Sequence, residues 1–225
     1  MSRVPYHSTI GSLMYLATCT RPDLATAVSE LSKFCKNPGA SHSEGVKRVM
    51  RYLKGTVSEG LLYQRGAQVP MWGYVDSGHA RDSDTSRGRT GYVFLSGGAA
   101  VSWMSGMMKL VTHSSCESEY VGLSEAANEE VYPNQLQGEL GIGKKGVLLM
   151  GDNESSLNLA TNPVFHQKSK HIQLRYHSLR DRVADGLLEL CKVDTGFNAA
   201  DMMTKNVGAG VLKICKSLVG MIKSG

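Results

Sequence analysis

Five short apolar runs succeed one another from Leu61 onward: "LLYQR", "MWGYVD", "TGYVFLS", "AAVSWMS" and "LVTHS", with glycine and polar residues between them. Runs of this length, rich in Val, Tyr, Phe and Trp and broken by turn formers, predict four or five largely antiparallel strands. Gly97-Gly98 reads as a hairpin turn and not as a phosphate loop, because no helix N-terminus follows it. Beyond Ser114 the texture changes. A helix is expected over about 115–131, "VLLM" as a buried strand, helices near 154–161 and 171–184, "LLELCKV" as a strand, and a last helix from about Ala199. Hairpins followed by alternating helix and strand predict an α/β fold, a mixed sheet with helices packed on it.

The first 56 residues differ again. "STIGSLMYLAT" has helical apolar spacing, "RPDLATAVSELSKFCKNPG" opens on Pro and closes on Pro-Gly, and "SHSEGVKRVMRYLKG" ends at Gly55, which predicts three short helices. In the third, Val46, Val49, Met50 and Leu53 share one face while Lys47, Arg51 and Lys54 share another. That basic stripe reads either as a phosphate contact or as a solvated face. The same two readings apply to "FHQKSKHIQLRYHSLR", which gathers Lys168, Lys170, His171 and Arg175 around a helix start. Its histidines could also serve a metal, but the lack of a Cys or acid completing a ligand set at familiar spacing argues against zinc there. Trp72, Trp103, Tyr74, Tyr92 and Phe94 have the chemistry to stack on bases, but in apolar strands they read as core.

A chain of 225 residues with 41% hydrophobic and 20% charged residues is globular and has enough apolar surface to bury a core. The net charge of +5 favours an acidic partner only weakly, since the cations are scattered along the chain. Five cysteines, odd in number and without a C-x-x-C pair, argue against disulfides and zinc and for a reducing compartment. No apolar run reaches the roughly 18 residues of a membrane helix and no signal-peptide core is present, so the expected location is intracellular, in the cytoplasm or the nucleus. Walker A, nucleophile-elbow and zincin motifs are absent.

Four acids stand where chemistry is often placed. Asp76 closes "MWGYVD", Asp152 closes "VLLMGD", Glu119 lies in the first turns of the helix near 115, and Asp201 opens the helix after "DTGFNAA". Taken singly, an aspartate after a strand is more often a turn former or helix cap. Four carboxylates converging on one point would repel strongly unless hard cations sat among them, as in two-metal nucleases and polymerases. In "THSSCESEYVGLSEA", Ser114 followed by Glu117 is a capping-box pattern, and helical geometry separates Glu117 from Glu119 only slightly as the inward-facing acid.

Several blocks together carry a resemblance. "YHSTIGSLMYLATCTRPDLATAVSELSKFCKNPG" with "VKRVMRYLKGT" resembles the end of a reverse transcriptase from copia-type LTR retrotransposons. "GYVDSGHARDSDTSRGRTGYVFLSGGAAVSWMS", "SSCESEYVGLSEAANE", "GDNESSLNLATNPVFHQKSKHI", "RYH" and "NAADMMTK" resemble the ribonuclease H domain that follows it. The match runs in order from about Tyr6 to Lys205. It implies a ribonuclease H-like mixed five-stranded sheet flanked by helices, with a helical connecting segment over 1–66, the nuclease over 67–206 and a C-terminal tail over 207–225. It further implies cleavage of the RNA strand of RNA–DNA hybrids with two Mg²⁺ ions, or Mn²⁺ in their place.

The family's acidic set falls on Asp76, Glu119, Asp152 and Asp201, so the family pattern selects Glu119 over Glu117. By resemblance, Asp76 bridges both ions, Glu119 and Asp152 hold the ion near the leaving group, and Asp201 holds the ion that activates water, giving a 5′-phosphate and a 3′-hydroxyl. The chain departs from the pattern at "DSGHA", where Gly78 and His79 replace an acid and a tryptophan. Pro133 predicts a kink or break near Tyr132, and no Y-x-D-D polymerase motif occurs. Two readings therefore stand: an active ribonuclease H belonging to a longer Pol polyprotein, and a catalytically inactive, vestigial or nucleic-acid-binding domain of the same fold.

Overall fold

The computed structural model describes residues 5–65, 71–78, 82, 85–139, 141, 146–162 and 173–223, without the side chains of 134, 137 and 173–177. The N-terminal segment forms α1 (Tyr6–Cys19), α2 (Ala25–Ser32) and α3 (Ala40–Gly55), followed by the short strand β1 (Glu59–Leu61). Pro22 opens a 3₁₀ turn ahead of α2, where its missing N–H costs nothing. Tyr6, Ile10, Leu13 and Ala17 of α1 meet Leu24, Val28, Val46 and Val49 in a core of their own.

The central sheet begins with β2 (Trp72–Gly78), β3 (Arg89–Ser96) and β4 (Ala99–Met107), an antiparallel meander turned at Gly97 and Gly98, both with positive φ. The long helix α4 (Ser115–Glu139) leads to β5 (Val147–Gly151), and α5 (Glu154–Thr161) and α6 (Gln173–Ala184) lead to β6 (Leu188–Lys192). β5 and β6 lie parallel to β2, so the strand order is β4-β3-β2-β5-β6. Both faces are covered. Val75, Phe94 and Leu149 pack under Tyr120, Leu123 and Ala127 of α4. Tyr74, Val93 and Leu95 pack on the opposite side, against Met202, Met203, Cys215 and Val219. Tyr74, Tyr92 and Phe94 are buried and Trp103 Nε1 donates to the Ala17 carbonyl at 2.7 Å, so these aromatics serve the core and its junction with the helices.

The chain closes with the single-turn helix α7 (Asp201–Thr204), α8 (Ala209–Leu218) and β7 (Met221–Lys223). The stretch expected as a tail is therefore structured: Cys215, Val219 and Met221 are buried in the second core, and β7 pairs antiparallel with β1.

Three local expectations are corrected. "LLYQR" contributes only its first residue to a strand, and that strand pairs with β7 and not with the main sheet. "LVTHS" is not a strand, because the buried Thr112 hydroxyl engages Ser118 Oγ at 2.6 Å and ties the stretch to the start of α4. Helix α4 is not broken near Tyr132 but runs through Pro133 to Glu139. Pro133 removes the N–H that would serve the Glu129 carbonyl one turn back, and Glu129 is only half-buried, so water has access there.

Candidate metal centre

β2 and β5 are parallel neighbours, so their carboxyl ends lie together, and Asp76 and Asp152 lie at those ends. Asn153, not Asp152, caps α5: its Oδ1 accepts the Ser156 N–H at 3.0 Å. Asp152 is thereby released from the capping role that an acid after a strand usually plays. Glu119 arrives from the first turns of α4, where Glu117 and Ser114 form the capping pair. The Ser114 hydroxyl accepts the Glu117 N–H at 3.1 Å, and Glu117 Oε2 accepts the His113 N–H at 2.6 Å. Tyr120, Leu123 and Ala127 point into the core from the same helix and turn Glu119 towards β2. A close approach makes this possible, since a Cβ on Gly122 would lie 2.0 Å from Ser77 Oγ.

One carboxylate oxygen each of Asp76, Glu119 and Asp152 lies within 4.8 Å of the others. Asp201 adjoins this trio from α7. Its partner there is Lys205, one turn on, whose ammonium lies 2.8 Å from Asp201 Oδ1 and 3.9 Å from Asp76 Oδ2. Asp201 Oδ1 is buried and receives no hydrogen bond of good geometry, only the nearby ammonium. The turn sits low over the sheet because Gly91, directly opposite Asp76 and on the same face, has no side chain; a Cβ there would lie 2.3 Å from Met203 Cβ. Asn198, fully buried, donates to the Val75 carbonyl at 2.9 Å and accepts the Ala200 N–H at 3.1 Å, fixing the approach to Asp201.

Burial and nearby negative charge act on Glu119, Asp76 and Asp201. Glu119 is pushed up to about 9, first by burial and then by the charges of Asp76 and Asp152, against a Ser77 N–H bond and Lys205. Asp76 is raised by burial, opposed by the Thr204 hydroxyl and Lys205. Asp201 is raised by burial, opposed by Lys205. Burial alone would lower Lys205, but Asp201, Asp76 and Asp152 raise it on balance. Four acids facing one ammonium leave an excess of negative charge. An all-oxygen, partly buried cluster of this kind is compatible with binding a divalent cation.

Four partners of the site were not singled out from the sequence. Thr204 donates its hydroxyl to Asp76 Oδ2, Lys205 pairs with Asp201, Thr195 donates to Asp152 Oδ2 at 3.0 Å, and the Ser77 N–H serves Glu119. For Thr204 and Lys205 a signal existed, since they stand three and four residues after Asp201, one helical turn on. The basic residues fall elsewhere. Lys47 and Arg51 are exposed on α3 and both pair with Glu44, Lys47 at 3.5 Å; Lys54 is exposed in the last turn. Lys168, Lys170 and His171 lie outside the described residues, as does the side chain of Arg175 on α6. Gly78 ends β2, and His79 lies outside the described residues.

A five-stranded mixed sheet in this order, flanked by helices and carrying an acid on its central strand, is a ribonuclease H-like fold. The solved foamy viral protease-reverse transcriptase in complex with RNA/DNA hybrid shares the fold over 84% of this chain and 24% of its own, with a TM-score of 0.55 at 13% identity. No protein-family model matches the chain. The chain is 41% identical over 221 residues to the retrovirus-related Pol polyprotein from transposon TNT 1-94 of Nicotiana tabacum, covering 98% of this chain and 17% of that one. It is 35% identical over 219 residues to the corresponding polyprotein from transposon RE1 of Arabidopsis thaliana, covering 97% of this chain and 15% of that one. The chain belongs to the Pol polyproteins of copia-type LTR retrotransposons and spans 15–17% of the length of these curated relatives.

Proposed function

We propose that this chain is the ribonuclease H of a copia-type Pol polyprotein, a metal-dependent endonuclease that hydrolyses the RNA strand of RNA–DNA hybrids. The observation that carries the reading is the convergence of Asp76, Glu119 and Asp152 at the carboxyl ends of β2 and β5, with Asp201 beside them. Mg²⁺ fits this oxygen-only donor set, and Mn²⁺ is accepted by the same ligands. Bound there, a pair of such ions supplies an activated water and stabilises the departing oxygen. The protein's own part is to aim the four carboxylates at one point; burial and repulsion favour their protonated forms, and a bound cation would favour the ionised ones. Ser77 N–H orients Glu119, Thr204 orients Asp76, and Thr195 orients Asp152. Lys205 compensates Asp201, and its half-exposed ammonium at the edge of the cluster has the charge to pair with a substrate phosphate.

On the same reading, the segment over 1–66 corresponds to the end of the polymerase, and the exposed Lys47, Arg51 and Lys54 of α3, with Lys168, Lys170, His171 and Arg175, bind the nucleic-acid backbone. The test is an RNA–DNA hybrid incubated with the folded chain and Mg²⁺. Cleavage confined to the RNA strand, abolished by Asp76→Asn, is the expected result; an intact hybrid with a chain that is folded by circular dichroism identifies an inactive domain of the same fold.

A further inference from the structure

Helix α7 is a single turn, and a single turn leaves carbonyls without partners. The Ala200 carbonyl accepts the Met203 N–H at 2.8 Å, and the Asp201 carbonyl accepts the Lys205 N–H at 3.2 Å and the Thr204 hydroxyl at 3.3 Å. The Met202 carbonyl is served from another part of the chain. The buried hydroxyl of Thr26, on α2, donates to it at 2.6 Å. Thr26 Oγ1 also lies 3.3 Å from Ser105 Oγ of β4, which accepts from Arg89 Nη1 at 2.8 Å. Arg89, itself buried, donates to Ser29 Oγ at 3.0 Å and pairs with Glu30, both on α2. A polar chain thus runs from the sheet through α2 to the one turn that carries Asp201, Thr204 and Lys205.

All three of those side chains act at the acid cluster: Asp201 beside it, Thr204 on Asp76, and Lys205 between Asp201 and Asp76. A displacement of α7 moves them together. We propose that Thr26 is a positioning residue for the metal centre, setting the height of α7 over β3 through the Met202 carbonyl, so that the helical segment is a working part of the site. The inference rests on the reading of the acids as a divalent-cation site. Groups that orient metal ligands from behind typically change ion affinity 10–100-fold when removed, roughly speaking. A residue that only stabilises the fold changes the melting temperature and leaves ion affinity alone.

Thr26→Val keeps the shape and removes the hydroxyl, while Thr26→Ser keeps the hydroxyl. In the full chain, Mn²⁺ binding by calorimetry and amide exchange at Met203 and Lys205 are compared for the three proteins, well below their melting temperatures. Thr26→Val is expected to weaken Mn²⁺ binding about tenfold and to speed exchange in α7, with Thr26→Ser close to the parent in both. Unchanged Mn²⁺ affinity in Thr26→Val, or a Thr26→Ser protein as weak as Thr26→Val, overturns the proposal. A parent chain that binds Mn²⁺ without cutting a hybrid overturns the nuclease reading and leaves the Thr26 comparison standing; one that binds no Mn²⁺ overturns both.

Discussion

Two glutamates one residue apart on either side of Ser118 have separate tasks. Glu117 closes a capping pair with Ser114 and His113 at the surface, whereas Glu119 is buried against Asp76 and Asp152. Glu117→Ala should therefore cost about 1 kcal/mol in a denaturant melt and leave cleavage intact. Glu119→Gln should abolish cleavage and leave the metal-free fold about as stable at neutral pH, because Gln replaces a carboxyl that burial already holds protonated there, and more stable above about pH 9, where the parent must ionise it. The same cluster sets a pH dependence. Glu119 rises from 4.5 in the unfolded chain to about 9 in the fold, so the folded state holds a proton that the unfolded state has released. The stabilisation is complete below pH 4.5 and is lost as pH rises through about 9. Asp76 and Asp201, also raised, act with the same sign. In chelator, the melting temperature should fall from about pH 5 to about pH 9, and Mg²⁺ should flatten the slope by favouring the ionised carboxylates. A metal-free melt that climbs over that range would count against the buried cluster.

At the scale of elements, the site depends on how closely α7 lies over β3. Gly91→Ala would force its new methyl against Met203 Cβ and lift the turn, at a cost of about 1–3 kcal/mol, with cleavage reduced beyond what the lost stability explains. Gly210→Ala, in α8 with open space around it, is the matched control and should stabilise the chain by up to about 1 kcal/mol without touching activity. Thermal melts and initial cleavage rates on the two variants separate the cases. The elements themselves were largely legible. β2, β3, β4, β5 and β6 stand where apolar runs and turn residues placed them, and α5 begins and ends where the pattern did. Asp76, Glu119, Asp152 and Asp201 were legible as four separate acids at strand ends and helix starts. Their meeting was not, since strand order and register depend on contacts between distant segments. Thr26 was beyond any spacing rule: its partner is 176 residues away. "LVTHS" misled because a short apolar and hydroxyl run satisfies a strand pattern and a helix approach equally well.

Across the whole molecule, the N-terminal helices and the closing elements α8 and β7 are tied into the ribonuclease H-like fold. Lys216 of α8 pairs with Glu59 and reaches Tyr52 Oη at 3.3 Å; Tyr52 donates to Asp23 at 2.7 Å; Asp23 is gripped at two points by the buried Arg21. Ending the chain after Asn206 would remove Cys215, Val219 and Met221 from the second core and leave Glu59 and β1 unpartnered. Such a chain should lose cooperative unfolding or melt many degrees lower, measured by calorimetry beside the full-length protein; a truncated protein with an unchanged melt would show that this closure is dispensable.

The most direct measurement is made on a hybrid whose RNA strand is labelled at its 5′ end, incubated with the purified 225-residue chain at a series of Mg²⁺ concentrations. Saturable Mg²⁺-dependent fragmentation of the RNA, with the DNA strand intact and no fragmentation by Asp76→Asn or Asp152→Asn, is the expected result. A folded chain that binds Mg²⁺ at these carboxylates and leaves the RNA whole, or one whose cutting survives both substitutions, would contradict the assignment of hydrolysis to this site.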